Sequence, residues 1–207
     1  MAYQLDTERT GFTMVPERNF EVLEKFKLII GKCDYKARSG VEFTPAEVYF
    51  VEPVSKSDEK GLYYFKTSSF ENSVYKSKYD GKFELETKYM KPVVKSPYIK
   101  KFKVEDNNNY CIFPYNNNDR NSVPLSKLIT ESNKLANYLI DNKSIIAKQS
   151  RRSLMISMGD DFYSLSKIGM YTFAKHKVAF RDNTVLNAAV IKEIESPWGE
   201  KILPVCA

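Results

Sequence analysis

The sequence predicts a single-domain α+β protein, with a twisted mixed or antiparallel sheet and flanking helices. Two observations carry that class. Short β-branched and aromatic runs bounded by turn residues fill the middle of the chain, from about 48 to 115. Apolar residues at helical spacing occupy 20–30 and the stretch beyond Pro124. At 207 residues the chain is long enough for one sizeable core, and no repeat or long linker divides it.

Residues 1–15 are mixed and polar and read as an irregular lead-in. Pro16 suits a first helical position, Phe20, Leu23, Phe26 and Ile30 recur at helical spacing, and Gly31 offers a stop. Ser39-Gly40 favours a tight turn presenting Lys36 and Arg38. Val48 to Val51 reads as a buried strand closed by Pro53. A charged turn over Ser55–Gly61 leads to a second strand, Leu62–Phe65, and then to a surface excursion over 66–82.

Prolines Pro92 and Pro97 keep the following segment extended. The triplets Asn107–Asn109 and Asn116–Asn118 bracket a strand over Tyr110–Tyr115 as turn-tolerant loops. Leu125, Leu128 and Ile129 predict a short helix; Leu135, Leu139, Ile140, Ile145 and Ile146 predict a longer one. Val178-Ala179-Phe180 reads as a core strand, with Asn187–Ile191 as its partner.

Composition narrows the function. The formal charge is +6 with a pI near 9.0, a balance that favours an acidic partner. No window approaches the roughly 18 apolar residues of a membrane span, so no membrane partner is expected. Cys33, Cys111 and Cys206 are too scattered for a disulfide framework, which points to a reducing, cytoplasmic setting. They and His176 lack zinc-ligand spacing, so no metal is expected. There is no phosphate-binding loop, no His-Glu-x-x-His and no Gly-x-Ser-x-Gly.

Two stretches are basic and free of acids. The first holds Lys88, Lys91, Lys95, Lys100, Lys101 and Lys103, interleaved with Tyr89, Tyr98 and Phe102. The second, 162–181, holds Lys167, Lys175, His176, Lys177 and Arg181. Cations alternating with aromatics suit a phosphate backbone with bases or sugars beside it. A solvated edge strand carrying lysines against aggregation has the same composition. Arg151 and Arg152 suit either a helix C-terminus or a phosphate.

The order of these pieces resembles the C-terminal specificity region of the TaqI-like adenine amino-methyltransferases, including the fused type IIG restriction-modification enzymes. The resemblance begins at Ser39-Gly40-Val41-Glu42-Phe43-Thr44-Pro45-Ala46-Glu47-Val48-Tyr49-Phe50-Val51. It continues through Lys95–Lys103, Cys111-Ile112-Phe113-Pro114-Tyr115, Leu135–Leu139 and Arg151-Arg152. It ends with Asp161-Phe162-Tyr163-Ser164-Leu165 and Lys175-His176-Lys177-Val178-Ala179-Phe180-Arg181-Asp182, covering about residues 16–195. That family's cofactor-binding glycine motif and Asn-Pro-Pro-Tyr lie upstream, and neither occurs here.

The resemblance implies a target-recognition domain spanning 1–207, excised from a larger methyltransferase and without catalysis of its own. Its partners would be duplex DNA and a methyltransferase catalytic domain, in the same or a partner chain; S-adenosylmethionine would bind that catalytic domain. The expected backbone contacts are Lys36, Lys100, Lys101, Lys103, Arg151, Arg152, Lys175 and Lys177. Arg38 and Arg181 are expected to read bases, because arginine contacts guanine bidentately. Two rival readings are a protein-interaction or structural module with an incidental basic face, and a small metal-dependent nuclease using Asp160, Asp161 and Asp182.

Overall fold

The computed structural model describes residues 2–3, 13–14, 21, 25, 36–68, 73–105, 108–148, 161–181 and 187–207. Contacts within the chain group it into two units, Met1–Arg38 and Ser39–Ala207. In the first unit β1 (Ala2–Tyr3) and β2 (Thr13–Met14) form a short antiparallel pair, so the lead-in expected to be irregular contains backbone pairing that its mixed polar sequence does not signal. Glu21 and Lys25 are helical, inside the helix predicted from Pro16 to Ile30. The apolar stripe of that helix, with Cys33, lies outside the described residues.

The second unit has the predicted α+β class. It opens with the short helix α1 (Ala46–Tyr49), which runs directly into strand β3 (Phe50–Lys56). Strands β4 (Leu62–Thr67), β5 (Phe83–Glu86) and β6 (Met90–Val94) follow. A hairpin of β7 (Ile99–Lys100) and β8 (Lys103–Val104) precedes β9 (Tyr110–Ile112). Then come helices α2 (Leu125–Glu131), α3 (Asn133–Asp141) and α4 (Lys143–Ala147). Past an irregular segment and a 3-10 turn (Met170–Phe173) come strands β10 (Lys177–Phe180), β11 (Ala188–Ile191), β12 (Ile194–Glu195), β13 (Lys201–Ile202) and β14 (Val205–Cys206).

Six of these strands make one mixed sheet in the order β14-β6-β9-β3-β4-β5. Only β14 is parallel to its neighbour, pairing Val205 with Val93 and Cys206 with Val94. The sequence placed Val48 and Tyr49 in the strand, but both belong to the helical turn that follows Pro45. Burial outweighs their strand propensity here: both are fully enclosed, and the Tyr49 hydroxyl donates to the Tyr163 carbonyl at 3.0 Å. Pro53 does not close β3 as expected. Strand β9 covers only Phe50 and Val51, and the register against β4 shifts between Pro53 and Ser55, so the missing N–H costs no regular ladder bond.

The predicted turn at Ser39-Gly40 is absent; residues 36–41 run without a turn. The Val41 amide donates to the Cys206 carbonyl at 2.8 Å, and Glu42 pairs with Ser166 in a β-bridge. Gly40 is needed there for closeness: a Cβ would sit 2.7 Å from the Cys206 carbonyl oxygen. The asparagine loops are as expected, with Asn108 and Asn118 at φ 45° and 64°.

Helix α3 buries Leu135, Ala136, Tyr138 and Leu139 completely. Ile140 and Ile129, predicted in the apolar stripe, turn outward at 40% and 44% exposure; Ile140 stands one 100° step past Leu139. The Tyr138 ring stacks on Phe83 of β5 at 5.2 Å, and its hydroxyl donates to the Val48 carbonyl at 2.8 Å. No residue of α3 caps its own N-terminus. Glu86 does so from β5, accepting the Lys134 and Leu135 amides at 2.9 Å each. Buried Asn142 closes the far end, donating to the Tyr138 carbonyl and accepting the Lys78 amide, both at 2.9 Å.

The segment 161–166 threads the same core. Tyr163 is fully buried and donates to the Val123 carbonyl at 2.5 Å, while the Leu165 amide donates to the Tyr115 hydroxyl at 2.6 Å. Burial pushes the Tyr163 phenol far above its ordinary range.

Candidate functional site

The acid-free lysine run divides in two once folded. Lys88 pairs with Glu131 at 2.7 Å. Lys91 and Lys95 are half-buried; Lys95 lies 3.7 Å above the Phe50 ring and Lys91 5.8 Å from that of Phe113. Burial lowers the pKa of both ammonium groups, opposed in part by Cys111. The remaining three, Lys100, Lys101 and Lys103, stand on the β7–β8 hairpin. Lys101 and Lys103 are exposed, and Lys100 makes a loose 3.4 Å ion pair with Glu105. An ion pair between two such open side chains contributes little.

A second hairpin carries the other basic stretch. Strands β10 and β11 pair antiparallel, with Lys177 opposite Ile191, Val178 opposite Val190 and Phe180 opposite Ala188. The Arg181 amide donates to the Asn187 carbonyl at 2.8 Å, closing the ladder at the loop end. A backbone bond joins the two hairpins: the Phe102 amide donates to the Ala188 carbonyl at 2.8 Å. A small apolar cluster of Val94, Ile99, Ala189 and Ile191, with Val104, Ala179, Leu203 and Cys206 against it, binds them to the sheet edge.

This arrangement brings Lys100, Lys101 and Lys103 to the same end of the second hairpin as half-buried Arg181. Lys175 and His176 are exposed at the opposite end, beyond about 13 Å of strand. Lys177 has a structural tether: its ammonium donates to the Thr172 and Pro204 carbonyls at 2.9 and 3.0 Å. Burial lowers its pKa, opposed by Cys206. Lys36 and Arg38 are both exposed and belong to the first unit. With no turn at Ser39-Gly40, Arg38 is not presented by one as expected. Arg151 and Arg152 lie outside the described residues.

The sequence reading missed which apolar side chains point outward. Val178, Phe180 and Val190 are 66%, 49% and 56% exposed, so β10 turns Ala179, not its larger neighbours, toward the cluster. The strict alternation Lys177-Val178-Ala179-Phe180-Arg181 carried that signal, since side chains two apart must share a face. Phe102 is 82% exposed at the tip of the first hairpin, between two exposed lysines. Beside it lies a cleft of about 570 Å³, lined in part by Pro92, Tyr110, Lys103, Val190 and Ile194.

Asp161 is tied to Ser122, whose hydroxyl donates to it at 3.1 Å. Asp160 and Asp182 lie outside the described residues, and among those described no three His, Cys, Asp or Glu side chains cluster as a metal site. Cys111 and Cys206 are unbridged, and burial raises the pKa of both thiols. No described helix is long and apolar enough to cross a membrane. No family model matches the chain, and no curated protein matches it in sequence.

Proposed function

We propose that this chain is the DNA target-recognition domain of a TaqI-like adenine DNA methyltransferase or type IIG restriction-modification enzyme. It grips duplex DNA and positions one adenine for a separate catalytic domain. The observation that carries the reading is the meeting of two hairpins about 80 residues apart in sequence, which gathers Lys100, Lys101, Lys103 and Arg181 at one end. The ordered series of sequence pieces that resembles that family, which includes both hairpins, supports the same reading.

In this reading the three hairpin lysines and Lys175 contact phosphates, and Arg181 reaches a base edge. Lys177 holds the root of the second hairpin through its two carbonyl bonds. S-adenosylmethionine belongs to the catalytic domain, because this chain carries neither the glycine motif nor Asn-Pro-Pro-Tyr.

The test is a titration of the chain with duplex DNA across a series of salt concentrations. Phosphate-dominated binding loses affinity steeply as salt rises. An affinity that stays flat from low to physiological salt would remove the proposal.

A further inference from the structure

We infer that Phe102 is a wedge: its ring enters a base-pair step of the bound duplex while Lys101 and Lys103 hold the phosphates on either side. The inference rests on the DNA-binding reading above and adds a residue with a defined task to it.

The backbone makes the ring a fixed projection. Lys100 pairs with Lys103, so Lys101 and Phe102 alone form the turn of the hairpin. Phe102 adopts φ 64°, a left-handed conformation rare for a bulky side chain. Its amide is held by the Ala188 carbonyl at 2.8 Å, so the second hairpin braces the tip from behind. The ring is left 82% exposed in that strained, braced turn, with the Lys101 ammonium 5.7 Å from its centroid, and it belongs to no buried cluster of the described fold.

The setting selects the ligand. A two-stranded ribbon is narrow enough to enter a DNA groove, and an apolar wedge there unstacks a base step and bends the duplex. The cations beside the ring supply the phosphate contacts that such insertion needs. Glu105 and Glu195 line the same cleft as Phe102 and Lys103.

The experiment compares the chain with Phe102→Ala and Phe102→Trp, on a matched duplex and on the same duplex carrying one abasic site. An abasic site removes stacking at one step, so insertion there is easier whatever the sequence. Wild type and Phe102→Trp are expected to prefer the abasic duplex about 5-fold or more, a difference of about 1 kcal/mol. Phe102→Ala is expected to lose that preference and keep the salt dependence.

Equal abasic preference in wild type and Phe102→Ala, with steep salt dependence in both, overturns the wedge and leaves the DNA reading standing. No binding to either duplex at low salt overturns both. Phe102-dependent binding to phosphatidylserine vesicles, without binding to duplex, overturns both in favour of a lipid surface.

Discussion

Gly40→Ala separates a contact glycine from a turn glycine. The added Cβ would lie 2.7 Å from the Cys206 carbonyl oxygen, 2.9 Å from its carbon and 3.0 Å from the Ala207 carbonyl carbon. All three are backbone atoms, so relief requires β14 to move away from its place beside β6. Overpacking of this kind costs about 1–3 kcal/mol. Displacing β14 also weakens the bonds from the Val41 amide to Cys206 and from the Ala207 amide to Val94, now 2.8 and 3.0 Å. Each is worth about 1 kcal/mol net. The expected loss is therefore about 2–4 kcal/mol, or roughly 5–15 °C in Tm for a chain of this size.

Urea unfolding followed through Trp198 measures it. That residue is the sole tryptophan and packs against Tyr63, Phe65 and Tyr110 at centroid distances of 5.6, 6.0 and 5.2 Å. Gly61→Ala is the comparison: Gly61 has φ +84° and nothing near its missing Cβ, so only backbone strain of about 1 kcal/mol applies. A Gly40→Ala change within about 0.5 kcal/mol of wild type would refute the close-approach reasoning.

Two further outcomes follow from the same structure. Glu86→Ala removes the acceptor for both leading amides of α3 and should cost about 1–2 kcal/mol in urea unfolding, with Glu86→Gln recovering part of it; no loss would mean water caps that end equally well. Burial, and then its 2.7 Å hydrogen bond to Asp141, push the Tyr79 phenol up to about 12. Unfolded tyrosine ionises near pH 10, so this contribution is intact below pH 10 and disappears as pH rises through 12. Tyr79→Phe should flatten the alkaline decline in that window, and an unchanged decline would assign it to other tyrosines.

Local pattern made the class of the fold legible. The strand from Leu62, the start at Tyr110 of a strand that ends at Ile112 and not Tyr115, and the pairing of 178–180 with the stretch ending at Ile191 follow from period and turn chemistry; helix beyond Pro124 does too, although the longer of the two expected helices is broken at Asn142. What stayed hidden depends on distant partners. Gly40 looks like a turn residue until β14, more than 160 residues later, is laid against it. Val48 and Tyr49 favour strand by propensity, yet burial places them in a helical turn. The lysine run reads as one basic stripe, because composition does not reveal that Phe50, Phe113 and Glu131 engage its first three members. The outward aim of Val178 and Phe180 was readable from alternation, but a Val-Ala-Phe run invites the assumption that its larger residues face the core.

The central claim is that the β7–β8 hairpin is a DNA-contacting surface, and its most direct test is a comparison of salt slopes. The triple variant Lys100→Gln, Lys101→Gln, Lys103→Gln should lower the slope of log affinity against log salt by about 2–3, near 0.9 for each phosphate no longer neutralised. Lys88→Gln, which removes a lysine already paired with Glu131, should leave the slope unchanged. A triple variant whose slope equals that of the wild type would contradict the account.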